Sequence, residues 1–258
     1  MKLSQIINYP LGLVGLKFVR LSKLKELQKL SAISISGVSD IAQDKSFLEI
    51  YEKVRNYSMV EIERSFALYQ SIRYIIANNI KGDLVECGVW KGGSAMLVAY
   101  TLMKAGITDR KIFLYDTFEG MVKPGENDGE FEKKEWEKLK VNGDRSNWCL
   151  SSIEEVQTNM YKTGYPKESI VFVKGKVEET IPGKLPAQIA LLRLDTDWYD
   201  STKHELTHLY PLLEKGGVLI VDDYGAWEGA RKATDEYFAT YGPVYLNRID
   251  FTGRLVIK

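Results

Sequence analysis

The chain is poor in the residues that mark a disulfide-stabilised or nucleic-acid-binding protein. Its 258 residues include only two cysteines, and 35 basic residues balance 35 acidic ones. Two cysteines are too few for a disulfide scaffold, which favours a reducing, cytoplasmic setting. A net charge of zero gives no electrostatic reason to expect nucleic acid as a partner.

The sequence also lacks a long uninterrupted apolar run. Residues 6–19 are fairly apolar, but Pro10 interrupts them and the segment is too short to cross a bilayer. No small-residue cleavage site follows, so a cleaved signal peptide is not predicted. We expect no stable membrane span and interpret this segment as a loosely packed arm, with binding to a membrane surface or a partner subunit as the alternative.

Hydrophobic patterning predicts an α/β fold. Residues 43–79 have helical periodicity, and Ser58 with Glu61 has the spacing of a capping box that would start the second helix. Beyond Gly82, strands predicted at 83–88, 111–116, 170–174, 189–195 and 218–222 alternate with helices, and 244–249 with 254–257 predict a closing hairpin. We therefore expect an N-terminal arm and helical cap at 1–80 and one doubly wound domain at 81–258.

A long polar segment, residues 119–147, interrupts this alternation. Insertions of this length between core elements are usually disordered or functional, often as a lid over a site. We expect the segment to lie at the surface.

Acidic residues follow two of the apolar runs directly. Asp195 and Asp197 come after residues 189–194, and Asp222 and Asp223 come after residues 217–221. Because ligands bind at the carboxyl ends of parallel strands, these side chains are expected to share one small volume. Neighbouring carboxylates repel unless protons or a cation intervene, which favours a hard divalent metal. Helix caps and turn residues are the alternative interpretation.

A glycine-rich turn connects the first predicted strand to its helix. The sequence of residues 86–94, ECGVWKGGS, is neither a dinucleotide GxGxxG motif nor a P-loop, and its spacing alone fits a tight turn as well as a ligand site. Asp116 ends the second predicted strand, where an acidic side chain commonly binds ribose hydroxyls. Together the two features predict an adenosine-binding crevice.

A zinc-protease motif is also present, in residues 204–208, HELTH. These are the only two histidines of the chain, and no third ligand is evident. The motif lies on a predicted crossover helix whose next turn is apolar. We therefore expect no zinc site, with His204 exposed and His208 near the end of the helix.

Four motifs resemble the macrocin O-methyltransferase (TylF/MycF-like) family: GDLVECGVWKGGS, YDTFEGM, DTDWYDST and GGVLIVDDYGAWEGARKATDEYF. The resemblance extends from about residue 57 to the end. It implies a Rossmann-like class I methyltransferase sheet, mostly parallel with an antiparallel terminal hairpin. It also implies S-adenosylmethionine as methyl donor, a bound magnesium ion, and a sugar or phenolic hydroxyl of a small molecule as acceptor.

The resemblance implies a role for each matching residue. Asp195, Asp222 and Asp223 correspond to the metal ligands, and Asp197 corresponds to the catalytic base that accepts the hydroxyl proton. The positions that correspond to donor contacts are Ser58, Met59, Glu86, Cys87, Gly88, Val89, Trp90, Asp116, Thr117, Phe118, Glu119, Gly120, Ser151, Ser152, Glu179 and Thr180.

Two other functions stay open at the level of sequence. Cephalosporin-hydroxylase-like enzymes share an E-x-G-x-x-x-G-x-S turn, and a non-catalytic protein could bind S-adenosylmethionine without transferring its methyl group. All four carboxylates are present, which favours the enzyme. We expect a cytoplasmic homo-oligomer, and the acceptor itself is not specified by any motif.

Overall fold

The structure of the protein is a computed structural model that describes residues 39–258. A short helix, α1 (Ser39–Gln43), belongs to a unit that ends at Lys45, and a compact unit extends from Ser46 to Lys258. Two further helices fall in the region predicted as a cap: α2 (Lys45–Val54) and α3 (Ile62–Ala77). Apart from Lys45, both belong to the same compact unit as the sheet. The arm predicted within residues 1–38 lies outside the described residues.

The remaining elements are strands and helices that alternate along most of the chain, apart from the consecutive pairs β3–β4 and β8–β9. The strands are β1 (Asp83–Cys87), β2 (Ile112–Asp116), β3 (Lys140–Asn142), β4 (Arg145–Ser146), β5 (Ile170–Lys174), β6 (Ile189–Leu194), β7 (Leu213–Val221), β8 (Asn247–Arg248) and β9 (Arg254–Ile257). The helices are α4 (Gly93–Lys104), α5 (Glu130–Leu139), α6 (Ile153–Tyr161), α7 (Val177–Thr180), α8 (Tyr199–Leu209) and α9 (Glu228–Tyr241).

Seven strands form one sheet in the order β5-β2-β1-β6-β7-β9-β8. The first five are parallel, β9 is antiparallel to β7, and β8 is antiparallel to β9. All six residues of β6 are buried, as expected for a parallel strand covered on both faces. The order reverses between β1 and β6, so the carboxyl ends of these strands border the crevice in which ligands of such sheets bind. The predicted fold class, including the antiparallel hairpin, is confirmed.

The second cap helix begins later than the sequence predicts. Helix α3 starts at Ile62, and the hydroxyl of Ser58 accepts the backbone N–H of Val60 at 3.1 Å, so the capping box at Ser58 is wrong. A Cβ on Gly93 would lie 2.6 Å from the Cβ of Ser58. The chain therefore crosses closely over the start of α4 at Tyr57 and Ser58, with Ser58 in extended backbone, which the local sequence pattern could not reveal.

The long insertion is folded rather than disordered. It contains α5 and the β3–β4 pair, and the indole of Trp136 is fully buried and donates to the carbonyl oxygen of Met121 at 2.9 Å. The buried carboxylate of Asp128 accepts the backbone N–H groups of Tyr199 at 2.8 Å and Gly125 at 2.7 Å. Asp128 thus fastens the insertion to the N-terminus of α8.

No helix within residues 39–258 combines the length and apolar character needed to cross a membrane.

Candidate active site

One cavity of about 320 Å³ lies at the carboxyl ends of the central strands. It is bordered by the turns that follow β1, β2, β6 and β7 and by the extended segment before α3. Nine of the sixteen residues predicted to bind the donor line this cavity: Ser58, Met59, Glu86, Gly88, Val89, Trp90, Asp116, Thr117 and Gly120.

Asp116 organises the two donor-side turns. One carboxylate oxygen accepts the backbone N–H groups of Val89 at 2.7 Å and Trp90 at 3.1 Å, and the other accepts the N–H of Phe118 at 2.7 Å. Burial raises the pKa of Asp116, and these backbone donors oppose the rise. The role expected for Asp116 was contact with a ribose. The structure shows in addition that it holds the turns after β1 and β2 together.

Gly88 allows the turn after β1 to pass against the turn after β6. Its φ is +82°, and a Cβ at this position would collide with the carbonyl oxygen of Asp195. The backbone N–H of Asp195 in turn donates to the carbonyl of Cys87 at 2.9 Å. The glycine is therefore required by close packing of two site-forming turns, in addition to its left-handed conformation.

Replacing Gly88 by alanine is expected to lower the free energy of unfolding by about 1–3 kcal/mol more than Gly106→Ala, because of overpacking. Gly106 is a matched control, since its φ is +74° but nothing lies within 4 Å of an added Cβ. Urea denaturation of both variants measures the difference. Equal losses in the two variants would mean that backbone conformation alone explains the glycine.

The other seven predicted donor residues lie outside the cavity lining. Cys87 and Phe118 are buried in the core, and Glu119 pairs with Arg145 at 2.8 Å and Lys174 at 2.9 Å. Ser152 caps α6 by accepting the N–H of Glu155. The remaining three are Ser151, which donates to Glu155, the exposed Glu179, and Thr180, which donates to the carbonyl of Lys176.

Three of the four strand-end carboxylates come together. Asp195, Asp197 and Asp223 each offer an oxygen, and these oxygens lie within 4.8 Å of one another. No other group of three or more ligating side chains occurs in the described part of the chain. Oδ2 of Asp223 is buried without a hydrogen-bond partner. Asp197 adopts a left-handed φ of +70°, an unusual conformation for a residue other than glycine.

Burial dominates the ionisation of this group. It raises the pKa of Asp197 to about 7, and it raises the pKa of Asp195 and of Asp223 well above the usual range of a carboxyl. Repulsion between the carboxylates adds to the rise. A cation bound between these side chains would stabilise their ionised forms against burial and mutual repulsion, and hard oxygen ligands suit magnesium.

Asp222, the fourth carboxylate, is bound by two arginines. Oδ1 accepts a hydrogen bond from Arg193 at 2.7 Å, and Oδ2 contacts Arg64, which also bonds Asp250 at 2.9 Å. Arg193 is itself buried and reaches Asp195 at 2.7 Å.

Arg193 pairs with one further carboxylate, Glu86, at 2.6 Å. Burial nevertheless raises the pKa of Glu86 to about 7. The buried guanidinium of Arg193 therefore orients carboxylates from three neighbouring strands.

Two residues of the HELTH motif, His204 and Glu205, have protein partners in the structure. Nε2 of His204 lies 2.9 Å from the carbonyl oxygen of Ile181, whereas Glu205 is fully buried and accepts a hydrogen bond from the hydroxyl of Thr196 at 2.9 Å. His204 is half-buried, so the expectation that it is exposed is wrong. Thr196 separates Asp195 from Asp197, and Glu205 thus anchors the turn that carries both.

Replacing Glu205 by glutamine is expected to raise the free energy of unfolding at pH 8 by about 1–3 kcal/mol, because the neutral amide avoids the cost of keeping a buried carboxyl in the fold above its unfolded-state pKa. Oε2 of Glu205 has no hydrogen-bond partner, and burial raises its pKa well above the usual range. A pKa that is higher in the folded state means that stability falls as pH rises above the unfolded-state pKa. The stabilisation produced by Glu205→Gln should therefore be smaller at pH 5 than at pH 8.

Denaturant titration at both pH values checks this prediction, with the exposed Glu168→Gln as control. A variant that is less stable than the original chain at pH 8 would contradict it.

Several residues that line the cavity were not singled out by the sequence analysis. Among them are Arg64, Arg193 and the three tryptophans Trp148, Trp198 and Trp227. The sequence did contain a signal for Arg193 as a site residue, because a charged residue inside a continuous apolar strand is rarely buried without partners. Arg64 and Trp148 carried none, since they reach the site from distant segments.

Comparison with known proteins identifies relatives along most of the chain. A profile of the family described as Macrocin-O-methyltransferase (TylF) matches residues 40–256. The 8-demethyl-8-(2,3-dimethoxy-alpha-L-rhamnosyl)-tetracenomycin-C 4'-O-methyltransferase of Streptomyces olivaceus is 34% identical over 200 residues, 76% of this chain and 74% of the relative. Demethyldecarbamoylnovobiocin O-methyltransferase of Streptomyces niveus is also 34% identical over 200 residues, 74% of each chain.

Solved structures of methyltransferases also resemble this chain. The O-methyltransferase NovP is 33% identical and superposes with a TM-score of 0.71, covering 78% of this chain and 82% of its own. The calicheamicin methyltransferase CalS11 is 17% identical, with a TM-score of 0.53 over 84% of this chain and 92% of its own, and shows a shared fold alone. The family match favours the methyltransferase over the hydroxylase-like and non-catalytic alternatives.

Proposed function

We propose that this chain, which belongs to the macrocin O-methyltransferase (TylF) family and is an S-adenosylmethionine-dependent O-methyltransferase, methylates a sugar hydroxyl of a small glycosylated molecule with the help of bound magnesium. The observation that carries the proposal is the sharing of one cavity by the donor-side turns and the carboxylate cluster of Asp195, Asp197 and Asp223. The name of the Streptomyces olivaceus relative, whose acceptor is a rhamnosyl-tetracenomycin, supports a sugar-bearing natural product as acceptor.

The carboxylates fit magnesium by their chemistry. Asp195 and Asp223 would hold it, since their oxygens lie close together and Oδ2 of Asp223 is buried without a partner. Asp222 is the third ligand in this assignment, and because Arg64 contacts the same carboxylate, the metal and Arg64 would compete for it. When bound, magnesium would lower the pKa of a coordinated hydroxyl and fix its position.

The chain's own residues supply orientation and a proton acceptor. The sulfonium methyl of the donor is already electrophilic, so the turns after β1 and β2 need only align it with the acceptor oxygen. Asp197 lies beside the metal-ligand pair and would accept the hydroxyl proton through its carboxylate as the carbon–oxygen bond forms. Glu205, through Thr196, holds the turn that presents Asp197.

Incubation with deuteromethyl S-adenosylmethionine, magnesium and a panel of glycosides tests this function. Each glycoside should carry free vicinal hydroxyls on its sugar, and each should be paired with its aglycone as the matched control. Mass spectrometry with fragmentation should place the label on the sugar. Labelling of the aglycone phenols alone would overturn the sugar assignment while leaving O-methyl transfer intact.

We also propose a cytoplasmic homo-oligomer. Both cysteines, Cys87 and Cys149, are free thiols, which suits a reducing compartment. The aromatic side chains of Tyr245 and Phe251 are exposed near the C-terminal hairpin and could be covered by a second copy. Light scattering on the full chain, with Tyr245→Ser and Phe251→Ser as interface variants, tests the oligomer.

A further inference from the structure

Three tryptophans form an aromatic wall on one side of the cavity, which we define as Trp148, Trp198 and Trp227. Their rings pack edge to face, with centroid separations of 5.8 Å between Trp148 and Trp198, 6.2 Å between Trp148 and Trp227, and 6.0 Å between Trp198 and Trp227. All three line the cavity. Indoles in such clusters offer a large, rigid apolar surface.

The wall is tied directly to the carboxylate cluster. Trp198 follows Asp197 in the chain, and its indole N–H donates to the carbonyl of Val122 at 2.9 Å. Trp227 donates its backbone N–H to the carbonyl of Asp223 at 3.0 Å. Two of the turns that carry the carboxylates therefore also carry two of the indoles, so apolar faces and acidic groups border the same space.

The wall lies on the half of the cavity away from the main donor turns. The donor turns follow β1 and β2, whereas Trp198 and Trp227 follow β6 and β7, on the other side of the point where the strand order reverses. Trp198 is only 2% exposed, so it supports the other two indoles and offers little free surface itself. Trp148 and Trp227 are half-buried and retain free surface, and Phe131 stacks on Trp227 at an interplanar angle of 18°.

We infer that the aromatic wall is the acceptor subsite and that it packs against the C–H face of a pyranose ring. A pyranose has an apolar C–H face and polar hydroxyl edges. The cavity offers the matching pair of surfaces: the free surface of Trp148 and Trp227, and the oxygens of Asp197 and Asp223. A ring seated on the wall presents a hydroxyl edge toward Asp197. This inference rests on the proposed function and adds the residues that select its acceptor.

The test measures binding of methyl α-L-rhamnopyranoside and methyl α-D-glucopyranoside to the full chain loaded with S-adenosylhomocysteine and magnesium. Saturation-transfer NMR with irradiation of aromatic protons should saturate the ring C–H protons of at least one pyranoside. Sorbitol has similar hydroxyls but no ring face, and it should give no signal. Absence of a signal from both pyranosides overturns the inference.

Trp227→Leu should raise the pyranoside dissociation constant about tenfold through loss of the aromatic contact, and Trp227→Phe should retain most of the affinity. Tyr241→Ala, which changes an exposed aromatic outside the cavity lining, is the matched control. Calorimetry should show unchanged S-adenosylhomocysteine affinity in every variant, and thermal melts check folding. If Trp227→Leu binds the pyranoside as tightly as the original chain, the wall is not the subsite.

The tests of the acceptor subsite and of the proposed function can fail independently. A chain that binds a pyranoside through the wall but transfers no methyl group to any sugar keeps this inference and loses the proposed function. A chain that methylates a sugar, with an acceptor KM unchanged by Trp227→Leu, keeps the function and loses the inference.

Discussion

Replacing Asp197 by asparagine is expected to lower kcat by about 10²–10⁴-fold, the usual contribution of a general base. The amide keeps the size of the side chain but cannot accept the hydroxyl proton. Asp197 belongs to the close carboxylate cluster and is held in a left-handed backbone conformation that asparagine also tolerates. The geometry of the turn should therefore survive the change.

Three measurements separate a base from a structural residue. Donor affinity and magnesium affinity, both measured by calorimetry, should stay near those of the original chain. Activity of Asp197→Asn should not return when magnesium is raised. Rescue by excess magnesium would show that Asp197 is a metal ligand, in agreement with the group of three carboxylates that the structure brings together.

Much of the fold could be predicted because its signals are local. An apolar run buried on both faces and ended by an acidic residue predicts a parallel strand with a site at its carboxyl end, and β6 followed by Asp195 fits this pattern. The strand β5 coincides with its predicted limits. The Ser152 cap was predictable for the same reason, since donor and acceptor are three residues apart.

The errors and omissions arise where distant segments meet. Ser58 has the spacing of a helix cap, yet it lies in extended backbone packed on Gly93, a contact between residues 35 positions apart in the sequence. The glycine at position 88 was interpreted as a donor turn, whereas its tightest constraint is the carbonyl of Asp195. Local propensity cannot show either contact, because each depends on which turns the sheet brings together.

The four strand-end carboxylates show most clearly what the sequence can and cannot predict. That the four carboxylates lie near one another could be predicted from the strand order. Which of them pair with arginines could not. Arg193 pairs with Glu86, Asp195 and Asp222, and Arg64 reaches Asp222 from α3. Sequence therefore predicted where negative charge accumulates. It could not predict that Asp222 would be bound by two arginines while the other three carboxylates lie close together.

Replacing Asp195 by asparagine is expected to weaken magnesium binding by about 10- to 100-fold or more, since changes even to residues that only orient a metal ligand cost this much. Activity should fall with it and return in part at high magnesium. Asp195 is suited to this role because it is half-buried, has an oxygen within 4.8 Å of one of Asp223, and is oriented by Arg193 at 2.7 Å. Chelation with EDTA should abolish turnover of the original chain.

Magnesium titrations of three further variants define the ligand set. Asp223→Asn should behave like Asp195→Asn, and Asp235→Asn, which changes a carboxylate that accepts the Tyr224 hydroxyl outside the cavity lining, should bind magnesium normally. Asp222→Asn should also weaken magnesium binding, because the assignment makes its carboxylate the third ligand. Normal magnesium affinity in Asp222→Asn would assign that carboxylate to Arg64 and Arg193 alone, and full activity in EDTA would remove the metal from the reaction.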